Sequence, residues 1–215
     1  MDFIPDKISL YAEAHTSKEE ELLSELNRET HLKILVPRML SGHLQGRALS
    51  MISHMIKPKN ILEIGTYTGY SALCLAEGIA EGGQIDTIDI NEELKPIIDK
   101  YWAKSNHTAN LNFLIGNALN IIPQLSRSYD LVFIDADKEN YSHYYDLVFN
   151  KIPIGGFIIA DNVLWSGNVL KNPSDMKETT KAIVEFNSMV QSDDRVENVL
   201  LPVRDGLMIL RKIKS

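Results

Sequence analysis

Four short polar stretches carry the residues of this chain best suited to chemistry. They are Glu63-Ile-Gly-Thr-Tyr-Thr-Gly69-Tyr-Ser71, Thr87-Ile-Asp89-Ile-Asn91, Phe133-Ile-Asp135-Ala-Asp137-Lys138 and Ala160-Asp161-Asn162. Each lies where a short apolar run, of the kind that forms a buried strand, should end. In an open α/β sheet, ligands sit in the crevice beyond the carboxyl ends of the strands, so polar residues there are site candidates. Gly65 and Gly69 permit a tight turn and close backbone approach to a ligand at a helix N-terminus. Asp89 closes the next predicted strand, where a carboxylate can accept hydrogen bonds from both ribose hydroxyls. The dinucleotide fingerprint Gly-x-Gly-x-x-Gly is missing, and Glu63 at the strand tip would repel a pyrophosphate. A nucleoside cofactor with positive charge and no phosphate fits both facts, and S-adenosylmethionine has that chemistry.

The other two stretches point to a metal. Asp135 and Asp161 end consecutive predicted strands with Asn162 beside the second, so three oxygen ligands can converge on one point above the sheet. Oxygen-only ligation selects a hard cation, Mg²⁺ first, with Ca²⁺ or Mn²⁺ as alternatives, over zinc. Either aspartate alone could equally cap a helix or turn; the Asp-Asn pair together with Asp135 favours the ion. The six histidines show no paired zinc spacing, and neither a serine nucleophile elbow nor a Walker loop is present. The single cysteine, Cys74, excludes an internal disulfide framework and reads as helix packing.

The elements that must position these residues follow from periodicity. Short apolar runs near 60–64, 84–89, 111–115, 130–135 and 156–160 alternate with helical segments, the pattern of βαβ units and a parallel sheet. The clearest helix, 91–105, carries Leu94, Ile97, Ile98, Tyr101 and Trp102 as one stripe. After a helix near 175–191, runs 195–201 and 206–213 flank Pro202-Val-Arg-Asp-Gly206, which predicts a terminal antiparallel pair. Upstream, Ser17 to Glu20 has the form of a capping box ahead of Leu22, Leu23 and Leu26. A further helix, stopping near Lys57-Pro58, presents Leu44, Ala48, Met51, Ile52 and Met55 as an apolar face for the core or a partner subunit.

At 215 residues and 44% hydrophobic content, one α/β domain spanning 1–215 is expected, with 1–36 as a helical extension over the acceptor side. The net charge of −7 favours small substrates over phosphate backbones. The first residues lack a basic segment followed by an apolar run, and no apolar stretch reaches membrane-spanning length, so a cytoplasmic protein with no membrane partner is expected.

Taken together in order, these residues resemble the cation-dependent O-methyltransferases, the group that includes the catechol and caffeoyl-CoA enzymes and small bacterial members. The resemblance runs from about Met39 to the C-terminus. It rests on Met39-Leu-Ser41-Gly-His-Leu-Gln-Gly46, on Glu63 to Ser71, on Phe133-Ile-Asp-Ala-Asp-Lys-Glu-Asn-Tyr141 and on Asp161-Asn-Val-Leu-Trp165-Ser-Gly167. It implies a Rossmann-like class I methyltransferase fold, with a seven-stranded, mostly parallel sheet of order 3-2-1-4-5-7-6 and helices on both faces. It implies S-adenosylmethionine contacts from Ser41, Glu63, Gly65, Thr66, Ser71, Asp89, Ala118 and Asp137, metal ligation by Asp135, Asp161 and Asn162, Lys138 as general base, and a homodimer. Ser41 stands where the plant enzymes often have threonine or valine. Ser166 follows Trp165 where an asparagine often contacts substrate.

Methyl transfer from a sulfonium to oxygen is an in-line displacement, and a phenol, with a solution pKa of about 10, is a poor nucleophile at neutral pH. A divalent ion chelated by two vicinal oxygens would stabilise the oxyanion and orient it. The expected acceptor is therefore a catechol-like or vicinal-diol small molecule, with Trp165 and Tyr141 either as flat walls or as core packing, and with Ser166, by the resemblance, as a substrate contact. Within the same chemistry, the alternative is methylation of a hydroxyuridine in tRNA, favoured if Lys33, Arg38, Arg47 and Lys171 form a basic mouth. From other classes, a nicotinamide-dependent oxidoreductase shares the βαβ pattern and the ribose acid, and a non-catalytic cofactor-binding module shares the fold.

Overall fold

A computed structural model describes residues 4–215; the expectation for the first residues therefore falls partly outside the described chain. Seven strands form one sheet in the order β3-β2-β1-β4-β5-β7-β6. They are β1 (Asn60–Ile64), β2 (Gln84–Asp89), β3 (Leu111–Ile115), β4 (Leu131–Ile134), β5 (Phe157–Asp161), β6 (Val196–Leu201) and β7 (Leu207–Lys212). The first five pair in parallel, and β7 runs antiparallel to both β5 and β6. The helices are α1 (Asp6–Ala14), α2 (Glu21–Lys33), α3 (Gly42–Ile56), α4 (Tyr70–Ala76), α5 (Lys95–Trp102), α6 (Ala118–Ile121), α7 (Tyr141–Phe149) and α8 (Glu178–Ser192). The expected strand order and the antiparallel end both hold.

The central strands are continuous apolar runs because both faces are covered. One apolar cluster joins α6, α7 and α8 to one face of the sheet through Tyr145, Val148, Ile183's neighbour Phe186 and Ile134. The other joins α2 to α5 through Leu26, Leu49, Leu75, Ile98 and Phe133. The stripe Leu94, Ile97, Ile98, Tyr101 and Trp102 is buried as expected, but the segment is a 3-10 turn at Glu92–Leu94 followed by α5. Pro96, with no N–H to give, sits in the first turn of α5, where no donor is needed.

Two sequence expectations change. The capping box is not used: α2 begins at Glu21, with Glu20 as its cap and no side-chain cap bond. Instead His43 Nε2 bonds the Ser17 carbonyl at 2.7 Å and the Tyr70 hydroxyl donates to Glu19 Oε1 at 3.2 Å, which holds the segment extended against α3 and α4. In α3 the buried residues are Gln45, Gly46, Leu49, Ser50 and Ser53, while Met51 and Met55 are exposed. The small polar face wins because α3 lies close on α4. A Cβ at Gly46 would sit 2.7 Å from Tyr70 Cε1 and 2.9 Å from Cys74 Sγ, and Ser53 Oγ donates to the Leu75 carbonyl at 2.6 Å. Cys74 is fully buried in this contact, as its packing role required.

Candidate active site

The cofactor loop is seated directly on the end of β4. Gly65, at φ 102°, is the residue of contact, since a Cβ there would lie 2.0 Å from the Asp135 carbonyl oxygen, a distance only glycine avoids. The Asp135 N–H donates to the Ile64 carbonyl at 2.8 Å and the Gly65 N–H to the Ile88 carbonyl at 2.9 Å, so strands β1, β2 and β4 fix the loop. Gly69, at φ 81°, closes it with a 2.8 Å bond to the Thr66 carbonyl just before α4. Asp89, ending β2, accepts the Tyr67 N–H at 2.7 Å on Oδ2 and the Asn91 N–H at 2.9 Å on Oδ1. Asp89, expected from the sequence to meet a ribose, is thus tied to the glycine loop.

Ser41, Gly65, Thr66, Ser71 and Asp135 line one cleft, together with Met39, Leu40, Tyr67 and Tyr70. Glu63 is fully buried in β1, and burial pushes its carboxyl up to about 8 against the nearby Ser71 and Thr87 hydroxyls. Thr87 donates to Oε2, whereas Oε1 makes no hydrogen bond. A buried carboxylate oxygen without a donor is a vacancy in the hydrogen-bond inventory that a ligand bearing N–H or O–H groups would fill. Ala118 begins α6 and is buried; Asp137 is exposed after β4, its two oxygens accepting from Tyr144 and Asn140. Neither lines the cleft.

Beyond Asp135 the second half of the site begins. Lys138 is buried, and its Nζ donates to Asp135 Oδ1 at 2.9 Å and to the Tyr141 hydroxyl at 2.7 Å. Tyr141 in turn donates to the Asp161 carbonyl at 3.0 Å. Asp161 Oδ2 accepts from Gln45 Nε2 and Oδ1 from the Asn162 N–H at 2.7 Å. Burial and then the charge of Asp135 hold the Asp161 carboxyl well above the usual carboxylate range. The two carboxyls thus feel each other's charge, with the Lys138 ammonium on Asp135 as the balancing one. Among the described residues no group of three His, Cys, Asp or Glu gathers, so a hard cation held here would take its oxygens from Asp135, Asp161 and the amide of Asn162.

The chain reverses sharply after Asp161. Asn162, Trp165, Ser166 and Gly167 all have left-handed backbone, at φ 58°, 47°, 53° and 74°. Non-glycine residues hold such conformations only where their surroundings impose them. Here the β6–β7 turn does so: the Val163 N–H donates to the Gly206 carbonyl at 3.2 Å, the Leu164 N–H to the Asp205 carbonyl at 2.9 Å, and the Ser166 N–H to the Asp205 carboxylate. Trp165 is half-buried and Ser166 exposed, leaving both able to meet an acceptor.

Tyr141 requires a correction. Expected as a wall of the acceptor pocket, it is fully buried, its ring edge-on to Phe186 with centroids 5.4 Å apart. Its hydroxyl links Lys138 to the backbone of β5, so it acts as a strut beneath the site. Gln45, Thr87, Arg204 and Asp205 were missed. They act from other elements, and the only local signal was Gln45, Leu49 and Ser53 recurring at four-residue spacing beside the more obvious apolar stripe.

Comparison with known proteins bears on the family and the fold. The family model described as O-methyltransferase matches residues 13–213. A caffeoyl-CoA O-methyltransferase of Medicago sativa is 35% identical over 208 residues, covering 92% of this chain and 84% of that protein. A second, caffeoyl-CoA O-methyltransferase 5 of Nicotiana tabacum, is 35% identical over 207 residues, covering 91% and 86%. Among solved structures, the SAH-bound methyltransferase PaMTH1 of Podospora anserina superposes with a TM-score of 0.88 at 27% identity, covering 96% of this chain and 94% of that one. The O-methyltransferase from Bacillus cereus in complex with SAH gives 0.87 at 27%, covering 96% and 97%. The oxidoreductase alternative falls with these matches: the chain belongs to the O-methyltransferase family.

Proposed function

We propose that the chain transfers a methyl group from S-adenosylmethionine to a hydroxyl of a catechol-like or vicinal-diol small molecule, and that it needs a divalent cation to do so. The observation that carries this reading is Asp135. Asp135 lines the cleft, and its side chain also bonds Lys138 and feels the charge of Asp161, which supports donor and acceptor sites that meet at this residue.

In this reading Ser41, Glu63, Gly65, Thr66, Ser71, Asp89, Ala118 and Asp137 hold the cofactor, and Asp135, Asp161 and Asn162 hold Mg²⁺ or a similar ion. When bound, the cofactor supplies an electrophilic methyl group and the ion supplies positive charge beside the acceptor oxygens. Lys138, buried next to Asp135, takes the acceptor's hydroxyl proton when its Nζ is the neutral amine, and as the ammonium it stabilises the negative charge of the acceptor oxygen instead. Trp165 and Ser166 contact the acceptor from the loop after the metal ligands. Support for a flat apolar acceptor comes from Leu35, Val36 and Met39, all exposed; Met39 lines the cleft, and Tyr67 of the cofactor loop donates to the Leu35 and Val36 carbonyls at 3.3 Å.

Small molecules are favoured over tRNA because two of the cations that would form a basic mouth are paired. Arg47 is bound by Glu77 at 2.8 Å and Lys33 by Glu29 at 2.9 Å. A homodimer and a cytoplasmic location complete the proposal. The exposed Met51 and Met55 of α3 and Ile8, Leu10 and Tyr11 of α1 support self-association. No helix among the described residues is long and apolar enough to cross a membrane.

The test is methyl transfer by the purified protein to a panel of 3,4-dihydroxylated and monohydroxylated aromatic acids and to tRNA that carries hydroxyuridine, with Mg²⁺ or with EDTA. The expected result is a mono-methyl ether of dihydroxylated acceptors, formed with Mg²⁺ and lost in EDTA. Transfer to tRNA alone, or equal transfer to monohydroxylated acids in EDTA, would overturn it.

A further inference from the structure

Asp161 is not held by its own strand alone. Its Oδ2 accepts from the side-chain amide of Gln45 at 2.5 Å, across from β5 on α3, and Gln45 is 1% exposed. A glutamine amide is ambiguous by shape, since its oxygen and nitrogen ends are nearly isosteric. Arg204 removes the ambiguity. Its Nη1, a donor only, lies 3.1 Å from Gln45 Oε1, so the oxygen must face the guanidinium and the N–H must face the carboxylate. Arg204 is itself anchored, donating to the Leu40 carbonyl at 3.4 Å from a left-handed position, φ 49°, in the β6–β7 turn. The same turn carries Asp205 and Gly206, which fold the loop after Asn162.

We infer that Gln45 and Arg204 form a positioning relay that fixes the carboxylate plane of Asp161 for the divalent ion. The inference rests on the metal reading above and names residues which that reading does not include. With Gln45 on Oδ2 and the Asn162 N–H on Oδ1, the carboxylate cannot rotate about its Cβ–Cγ bond without breaking one bond or the other. Each oxygen keeps a second lone pair for a cation. Partners that orient a ligand in this way are worth roughly 10–100-fold in metal affinity.

The experiment is Mn²⁺ binding followed by electron paramagnetic resonance on the full chain, with SAH affinity and thermal midpoint measured in parallel. Gln45→Leu keeps the volume and removes both polar ends; Arg204→Met removes the orienting donor, and Arg204→Lys restores one. Expected are about 10–100-fold weaker Mn²⁺ binding in Gln45→Leu, a smaller loss in Arg204→Met that Arg204→Lys partly recovers, and a double variant no worse than Gln45→Leu alone. SAH affinity should stay within about twofold in Gln45→Leu, because the Gln45 amide bonds Asp161 and Arg204 and does not line the cofactor cleft. Wild-type binding of Mn²⁺ with Gln45→Leu unchanged would overturn the relay alone. Parallel loss of Mn²⁺, SAH and thermal midpoint would assign Gln45 to packing and also overturn it. No Mn²⁺ binding by the wild type would overturn the metal reading, and the relay with it.

Discussion

Glu63 concentrates the physics of the cofactor half in one side chain. It is fully buried, lacks a donor on one oxygen, and ionises near 8 because burial penalises its charge. In the unfolded chain it ionises near 4.5, so between 4.5 and 8 the folded state binds the extra proton and stability falls as pH rises. Glu63→Gln removes that dependence. Its thermal midpoint relative to wild type should climb from pH 4.5 to 8 and level off above, while SAM affinity measured by calorimetry drops about tenfold, the loss of one charge-assisted contact. A variant with unchanged affinity would show that Glu63 serves the fold only. Lys138 makes the complementary case in the other half. Lys138→Met should lower kcat by about 100-fold or more, in the range of a lost general base, with SAH affinity retained; turnover and pH profile like the wild type would remove Lys138 from the chemistry.

At the scale of elements, the docking of α2 on α5 depends on Glu29, which takes hydrogen bonds from Lys100, Tyr101 and Lys33. Lys100 first, then Tyr101 and Lys33, pull its carboxyl down to about 2 from 4.5. A depressed folded value means the stabilisation is complete above 4.5 and is lost as pH falls towards 2. Acid unfolding followed by circular dichroism should therefore be shallower across that window in Glu29→Gln, which starts from lower stability; a curve of the same steepness would refute the docking role. Sequence periodicity located the strands because the central ones are buried on both faces and read as continuous apolar runs, and so it put Asp135, Asp161 and Asn162 at the ends of β4 and β5, where they lie. For α3 it offered the apolar face to the core or to a partner subunit, and the core contact runs instead through Gly46 and Ser53, where close helix packing outweighed hydrophobicity. It was silent on the contact of Gln45 with Asp161, 116 residues away, and on that of Arg204 with Gln45, because neighbours so distant in sequence leave no trace in the pattern around Asp161.

For the whole molecule, the sheet order brings the ends of β1, β2, β4 and β5 side by side, and the antiparallel β7 returns the 202–206 turn to the same rim. The face left over is α3 with Met51 and Met55, 62% and 71% exposed, too apolar to be an ordinary solvated helix surface. Light scattering should give a dimer mass, and Met51→Glu with Met55→Glu should give a monomer of unchanged fold; a wild-type monomer at micromolar concentration would refute self-association. The account as a whole depends on a cation between Asp135, Asp161 and Asn162. The direct measurement is calorimetric titration of Mn²⁺ into the SAH-loaded protein. One ion per chain is expected for the wild type, and none in Asp161→Asn although SAH remains bound. Undiminished Mn²⁺ binding by Asp161→Asn, or no binding by the wild type, would contradict it.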